Sequence, residues 1–298
     1  MNISKLSRDP RAIKALTGLS YQEFSDLMPT FEKSLYQMRL RQPNRKRKPG
    51  GGQKGILKTS EDKLFFIMFY LKTYPTFDVL AFFVGKSRGR TCEAGHYYLK
   101  ILEHALGKKI VLPERKINSV EEFLQKFPEA KEVFFDGVER RTHRPKKTKN
   151  QNKTYSGKKK AHTRKNVVIA DEKRKILLLS PTKSGRRHDK RIVDKFLLAE
   201  RMPPDVLMGA DSGFQGIQHT HPNSWLPHKG TKKKPLTVEQ RQENTILSHF
   251  RVCVEHAIGG MKRFRAFSEV LRNRLGWIDD LVAFLAAGLW NYHLTYTS

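Results

Sequence analysis

Three carboxylates stand apart in this chain. Asp136 follows the apolar run Val133-Phe134-Phe135 and precedes Gly137-Val138-Glu139. Asp211 follows Val206-Leu207-Met208-Gly209-Ala210 and precedes Ser212-Gly213-Phe214-Gln215-Gly216. Glu255 lies in Arg251-Val252-Cys253-Val254-Glu255-His256. Three like charges held close together repel, so a shared site needs cations. Hard carboxylate oxygens with open positions suit magnesium or manganese. Two such ions about 3.5–4 Å apart activate an attacking oxygen and stabilise a leaving one in phosphodiester chemistry. Taken singly, each acid has a plainer use. Asp136 and Asp211 can each start a turn before a glycine. Glu255 can pair with Arg251 at i,i+4, worth about 0.2–0.5 kcal/mol on a surface.

The elements that must position these acids favour the shared site. Val133–Phe135 reads as a short strand ending at Asp136, with Asn166–Ala170 and Lys175–Leu179 as two more around the turn Asp171–Arg174. Asp189–Arg201 reads as a helix, Val206–Ala210 as a fourth strand ending at Asp211, and Trp225-Leu226 as a fifth. A long helix is expected over Val238–Phe264, with the stripe Leu247, Phe250, Val254, Ile258 and Met261, then a final apolar helix from Trp277 to about Tyr292. Three strands, a helix, a strand and then helices is the order of a ribonuclease-H-like α/β domain. In that order the first and fourth strands are neighbours at the sheet centre, which sets Asp136 beside Asp211 and lets the long helix bring Glu255 across. The Gly259-Gly260 pair on that helix costs about 1 kcal/mol per glycine, which suggests close approach of a backbone or of DNA.

The first 110 residues read as helical. Ser20–Glu23 and Thr59–Asp62 are cap-like starts, and Pro29 is expected to bend or interrupt the first long helix. Helix Thr76–Val84, the short turn Gly85-Lys86-Ser87 and a helix opening on Arg88, Arg90 and Thr91 form a helix-turn-helix pattern. Those three residues are then the candidates for reading bases. The expected partition is a helical DNA-binding region over 1–110 with the helix-turn-helix near 60–106, a connector over 111–129, and the catalytic α/β domain over 130–298.

Charge identifies the partner class. The chain of 298 residues carries 58 Lys+Arg against 29 Asp+Glu, a formal +29. Such an excess self-repels, and its usual reason is a polyanion whose neutralisation releases counterions. The basic residues are clustered: 11 fall between Arg141 and Lys165 with no acid, and nine between Lys33 and Lys58, around the linker-like Asn44–Gly52. With 38% hydrophobic residues the chain is not disordered as a whole. Cys92 and Cys253 match no zinc or redox spacing. The N-terminus lacks the apolar core of a signal peptide, and the longest apolar runs are too short for a bilayer. The expectation is a soluble, cytoplasmic protein with no membrane partner. An RNA-binding reading lacks its signature of paired aromatics on adjacent strands.

The combination Asp136–Glu139, Tyr155–Lys165, Gly185-Arg186-Arg187-His188-Asp189, Asp211–Gly216 and Arg251 through Glu255 to Lys262 resembles bacterial insertion-sequence transposases of the DDE superfamily endonuclease type, related to Harbinger-like nucleases. The resemblance spans nearly the whole chain. It implies that Asp136, Asp211 and Glu255 are the catalytic triad holding two Mg2+ or Mn2+ ions. It also implies double-stranded DNA as substrate, at element ends and target, cut and joined by a homo-oligomer in a bacterial cytoplasm. Lys158, Lys159, Lys160, Lys165 and Lys262 are expected phosphate contacts, and His162, His188 and Asp189 neighbours of the acids. Val138 and Phe214 replace the Thr and Tyr often found in the family, at positions that ligate nothing. The alternative is a non-catalytic, transposase-derived DNA-binding protein or repressor, against which an intact triad speaks.

Overall fold

A computed structural model describes residues 9–41 and 57–297, so the basic glycine linker at 44–52 lies outside the described residues. Helices come first: α1 (Pro10–Thr17), α2 (Tyr21–Leu40), α3 (Ser60–Thr73), α4 (Phe77–Val84) and α5 (Arg88–Lys108). Their starts follow the caps. Ser20 and Thr59 form reciprocal capping boxes with Glu23 and Asp62, while Thr76 and Ser87 accept from the backbone of Val79 and Arg90. Gly85 ends α4 in the left-handed conformation, at φ 57°. Of the two outcomes expected at Pro29, a bend or an interruption, the interruption does not occur: α2 runs through it. A mid-helix proline costs about 3 kcal/mol. Here the buried stripe Phe24, Leu27, Phe31 and Leu35 on the same helix outweighs it, since each fully buried large side chain contributes about 1.5–3 kcal/mol.

The texture then changes. After α6 (Val120–Lys126) come β1 (Glu132–Arg141), α7 (Thr148–Thr154), β2 (Tyr155–Ser156), β3 (Ala161–Asp171), β4 (Ile176–Leu179), β5 (Lys183–Ser184), α8 (Asp189–Phe196), β6 (Leu207–Ala210) and β7 (Ser224–Trp225). The helices α9 (Val238–Lys262), α10 (Arg265–Ser268) and α11 (Gly276–Leu294) complete the chain. Helix α8 stops earlier than expected, where Leu197 turns left-handed at φ 53°.

The chain falls into two compact units. One is helical: the described residues up to Leu112, joined by Met261–Glu269 and the residues from Asn273 onward. Helix α11 belongs here and not with the sheet, which departs from the expected 130–298 domain. The reason is its composition: twelve of its residues are buried, among them Leu281, Leu285 and Leu289, so it is a core helix for this bundle. Asn291 donates to the Val111 carbonyl at 3.0 Å and fixes it there.

The other unit is α/β and holds Pro113–Gly260 with Val270–Arg272. Its mixed sheet runs β2-β3-β1-β6-β7, with β4 and β5 also pairing with β3. Strands β1 and β3 are antiparallel, with Asp136 opposite Val168 and Glu139 opposite Lys165. Strands β1 and β6 are parallel, with Phe135 opposite Ala210. Side chains alternate across a strand. Val133 and Phe135 therefore share one face, buried in a core with Ile192 and Val193 of α8, Val167, Ile169, Met208 and Phe214. Phe134 points the other way and stacks on Phe250 of α9, ring centroids 6.4 Å apart. Phe250 is thus half-exposed at the rim of the α9 stripe, whereas Leu247 and Val254 are buried. No described helix is long and apolar enough to cross a membrane.

Candidate active site

Strand β1 continues through Asp136 to Arg141, so Asp136 sits mid-strand and not at a strand end as expected. The neighbouring β6 does stop at Ala210, opposite Phe135, and Asp211 is the first residue beyond it. The two acids therefore lie side by side where β6 ends. Both are held by backbone N–H groups at 2.7 Å: Gly137 donates to Asp136 Oδ1, and Gly213 donates to Asp211 Oδ1 at the start of a short 3-10 turn.

A further carboxylate, that of Asp189, acts on Asp136 through its charge. Asp189 opens α8, and its carboxylate lies over Gly137, where a Cβ would be only 2.5 Å from its Oδ1. Its Oδ2 is 3.4 Å from the corresponding position on Gly213. Burial is the main cause that raises the Asp136 carboxyl from 3.8 to about 6, with the charges of Asp211 and Asp189 adding to it. The Gly137 N–H and the Arg251 charge work in the opposite direction.

Beneath Asp189 is an ion-pair network. Lys165 Nζ is 3.1 Å from Asp189 Oδ1 and 3.0 Å from Glu139 Oε1. Thr163 donates its hydroxyl to Glu139 Oε2 at 2.9 Å. Burial works against the Glu139 carboxylate, but hydrogen bonds from Ser156, Lys165 and Thr163 and the Lys165 charge outweigh it, holding Glu139 below the usual range. Burial also works against the Lys165 ammonium, and the two carboxylates more than offset it. Lys165 is thus a buried internal partner with its charge already matched, not the exposed phosphate contact expected.

Glu255 comes from α9, as does Arg251, whose charge acts on Asp136. The Glu255 side chain is exposed and pairs with Arg251 at 3.9 Å. Among the described residues no three His, Cys, Asp or Glu side chains are grouped so as to hold a metal ion. The charges of Asp211 and Asp189 act on Asp136, and Glu255 stands one helical turn past Arg251, whose charge acts there as well. The donor set nonetheless fits a hard divalent cation: the acids offer oxygen ligands only, and Asp136 is pushed toward protonation chiefly by burial and further by the charges of Asp211 and Asp189.

The remaining expected residues divide. Lys158, Lys159 and Lys160 are exposed on the turn between β2 and β3, and Lys262 is exposed at the end of α9. His162 is bound to the Thr154 hydroxyl at 3.0 Å, six residues along β3 from the partner of Asp136. At ~3.3 Å per strand residue it is about 20 Å from the acids, so it is no neighbour of theirs. His188 precedes α8, exposed, without a side-chain cap bond. Arg88 and Arg90 are exposed, Arg88 pairing with Asp78 at 3.4 Å. Thr91 is 1% exposed and donates to the Ser87 carbonyl, so it is closed to any ligand. Two residues without an assigned role prove important: Arg251 acts on Asp136, and Glu139 anchors Lys165. The available signal for Glu139 was its position two residues after Gly137, which puts both on one strand face.

Acids adjoining at the centre of a mixed sheet, with helices on both faces, fit an α/β nuclease domain. The family model of the DDE superfamily endonucleases matches residues 135–291, and the chain belongs to this family. It is 30% identical over 290 residues, 95% of each chain, to the protein described as "Probable transposase for insertion sequence element IS702" from Microchaete diplosiphon. Endonucleases of this family generally depend on divalent metal. No solved structure matches the chain.

Proposed function

We propose that this protein is a DNA transposase that binds the ends of its element, hydrolyses a phosphodiester there and joins the freed 3′-hydroxyl to target DNA. The observation that carries the reading is the adjacency of Asp136 and Asp211 across β1 and β6, within the stretch matched by the endonuclease family. In this reading the α/β unit is ribonuclease-H-like, α4 and α5 form a helix-turn-helix, and the protein acts as an oligomer on DNA. Asp136 and Asp211 would hold two Mg2+ or Mn2+ ions, with Glu255 as the third ligand by family resemblance. Bound ions supply activation of the attacking oxygen and stabilisation of the leaving one. The chain's own residues do the rest. The backbone N–H groups of Gly137 and Gly213 orient the two aspartates, and the Lys165 network holds Asp189 beside them. The exposed lysines 158–160 grip backbone phosphates, which positions a strand without reading it.

The test is incubation with DNA flanking the gene plus magnesium or manganese. Asp136→Asn, Asp211→Asn and Glu255→Gln should each abolish cleavage while DNA affinity stays equal or rises. Normal cleavage by one of these variants removes that residue from the triad. The pairing of Glu255 with Arg251 at 3.9 Å, a plain surface use of that acid, favours a second reading as a non-catalytic DNA-binding protein. Wild-type protein that binds element ends but never cuts them selects that reading.

A further inference from the structure

A surface hollow of about 850 Å³ opens beside α8, lined by Lys153, Ser184, Arg186, Arg187, Arg191, Asp194 and Lys195. We propose that it is a binding site for the phosphate backbone of DNA, seating the strand next to the acids. The inference rests on the phosphodiester reading of those acids and adds to it the place where the substrate is held.

The lining decides the ligand class. It has five cations and one acid, and that acid is already matched: Lys190 reaches both Asp194 oxygens, at 2.9 and 3.0 Å. Small-molecule pockets are mostly apolar with a few polar groups, and no apolar residue lines this one. It also has no aromatic ring on which a base could stack. What remains is charge without base readout, the chemistry of a phosphodiester backbone.

The cations are built in. Gly185 packs so closely on Thr163 that a Cβ would fall 1.7 Å from its Oγ1, so only glycine fits there. Gly185 N–H donates to the Thr163 carbonyl at 2.9 Å, and Arg187 N–H to the Ser184 carbonyl at 3.0 Å. Arg186 donates to the Asn152 carbonyl at 3.3 Å, and the Ser184 hydroxyl donates to the Lys153 carbonyl, which ties α7 to this turn. Thr163 is the residue that also supports Glu139. Arg191 and Lys195 are i,i+4 on the outer side of α8, whose inner side buries Ile192 and Val193. Arg187 stands two residues before Asp189, at most about 7 Å of chain from a residue of the acid cluster. One short segment thus gives a carboxylate to the site and arginines to the hollow.

The test compares two variants of the full chain with the same loss of charge: Arg187→Gln/Arg191→Gln/Lys195→Gln in the hollow, and Lys232→Gln/Lys233→Gln/Lys234→Gln on an exposed loop of the same unit. Binding of a labelled 30-base-pair duplex of arbitrary sequence is followed by anisotropy across a salt series. Each lost contact lowers the slope of log affinity against log salt by about 0.9, so the hollow variant should lose roughly 2–3 units and the loop variant under about one. Equal losses in the two variants, or an unchanged slope in the hollow variant, overturn the proposal. Inorganic tripolyphosphate is a second probe, added at constant ionic strength. Displacement of DNA by one equivalent, lost in the hollow variant, would make this a small-polyphosphate site and overturn the DNA assignment. The two readings separate cleanly. Wild type that shows the hollow-dependent slope but never cuts DNA keeps this site and loses the nuclease; wild type that cuts while the hollow variant keeps its slope does the reverse.

Discussion

The carboxylate of Asp189 occupies the space that a side chain at position 137 would need: a Cβ on Gly137 would stand 2.5 Å from Oδ1 and 2.8 Å from Cγ. The residue following the first acid is therefore glycine for a steric reason. Any side chain there would push Asp189 away from Asp136 and Asp211, against the grip of Lys165.

Gly137→Ala should accordingly destabilise the protein by about 1–3 kcal/mol, the usual cost of overpacking. Much of that cost should vanish once Asp189 is truncated. Urea unfolding of Gly137→Ala, Asp189→Ala and the double variant measures this directly, with an expected coupling of about 1 kcal/mol or more. Additivity within about 0.5 kcal/mol would deny the contact.

The pairing of the acids was legible in the sequence and Asp189 was expected beside them, but the network that holds it there was not. An apolar run followed by Asp, met twice, marks two strand positions that become neighbours once β1 and β6 pair in parallel, although only β6 ends there. The grip on Asp189 is different. It depends on the register that sets Glu139 opposite Lys165, and register is a property of two strands that neither carries alone. Lys165 looked like one more basic residue in a run of eleven, since the acids that bury it lie 26 residues before and 24 after it. Thr91 misled in the opposite direction: polar residues opening a helix are usually exposed, yet this one turns inward onto Ser87. Helix α11 follows the sheet in the chain, and only its evenly apolar surface hinted that it would be buried in a helical bundle.

Lys165→Met should be among the most damaging single changes. It leaves Glu139 and Asp189 in a closed setting without their cation, and breaking such a buried pair costs about 3–5 kcal/mol. The deficit should depend on pH. Glu139 is held below its ordinary 4.5 in the folded state, so its contribution is present above that value and is lost as pH falls through the lowered one. The gap between wild type and variant should narrow below about pH 4.5 in urea melts. A constant gap from pH 7 to pH 3 would mean that Glu139 is not the group involved.

Asp136 carries the opposite sign. Its folded pKa is raised from 3.8 to about 6, so the folded state holds its proton more tightly than the unfolded chain does. Stability is then lost as pH rises from about 4 to 6, and the whole penalty is present above that window. At about 1.36 kcal/mol per unit, Asp136→Asn should be more stable than wild type by about 2–3 kcal/mol at pH 7.5 without divalent cations. The two should match below pH 4. Millimolar magnesium or manganese should raise the melting temperature of wild type and not of the variant, because ions that bind only the folded form stabilise by mass action. An equal shift in both proteins would place the metal elsewhere.

The start of α5 separates reading from folding. Arg90 is exposed there, and Arg88 is held only by a surface ion pair with Asp78, both side chains at least 70% exposed, worth about 0–1 kcal/mol. Thr91 is buried and bonded to Ser87. If α4 and α5 read the element's ends, Arg90→Gln should cost about 1–3 kcal/mol on that DNA and little on random sequence. Thr91→Val should leave both affinities unchanged while lowering stability by about 1 kcal/mol, the worth of its hydrogen bond. Affinities on the two DNAs at one salt concentration, with a thermal melt of each variant, decide between the roles. Discrimination lost in Thr91→Val but kept in Arg90→Gln would show that α5 does not meet DNA through its first turn.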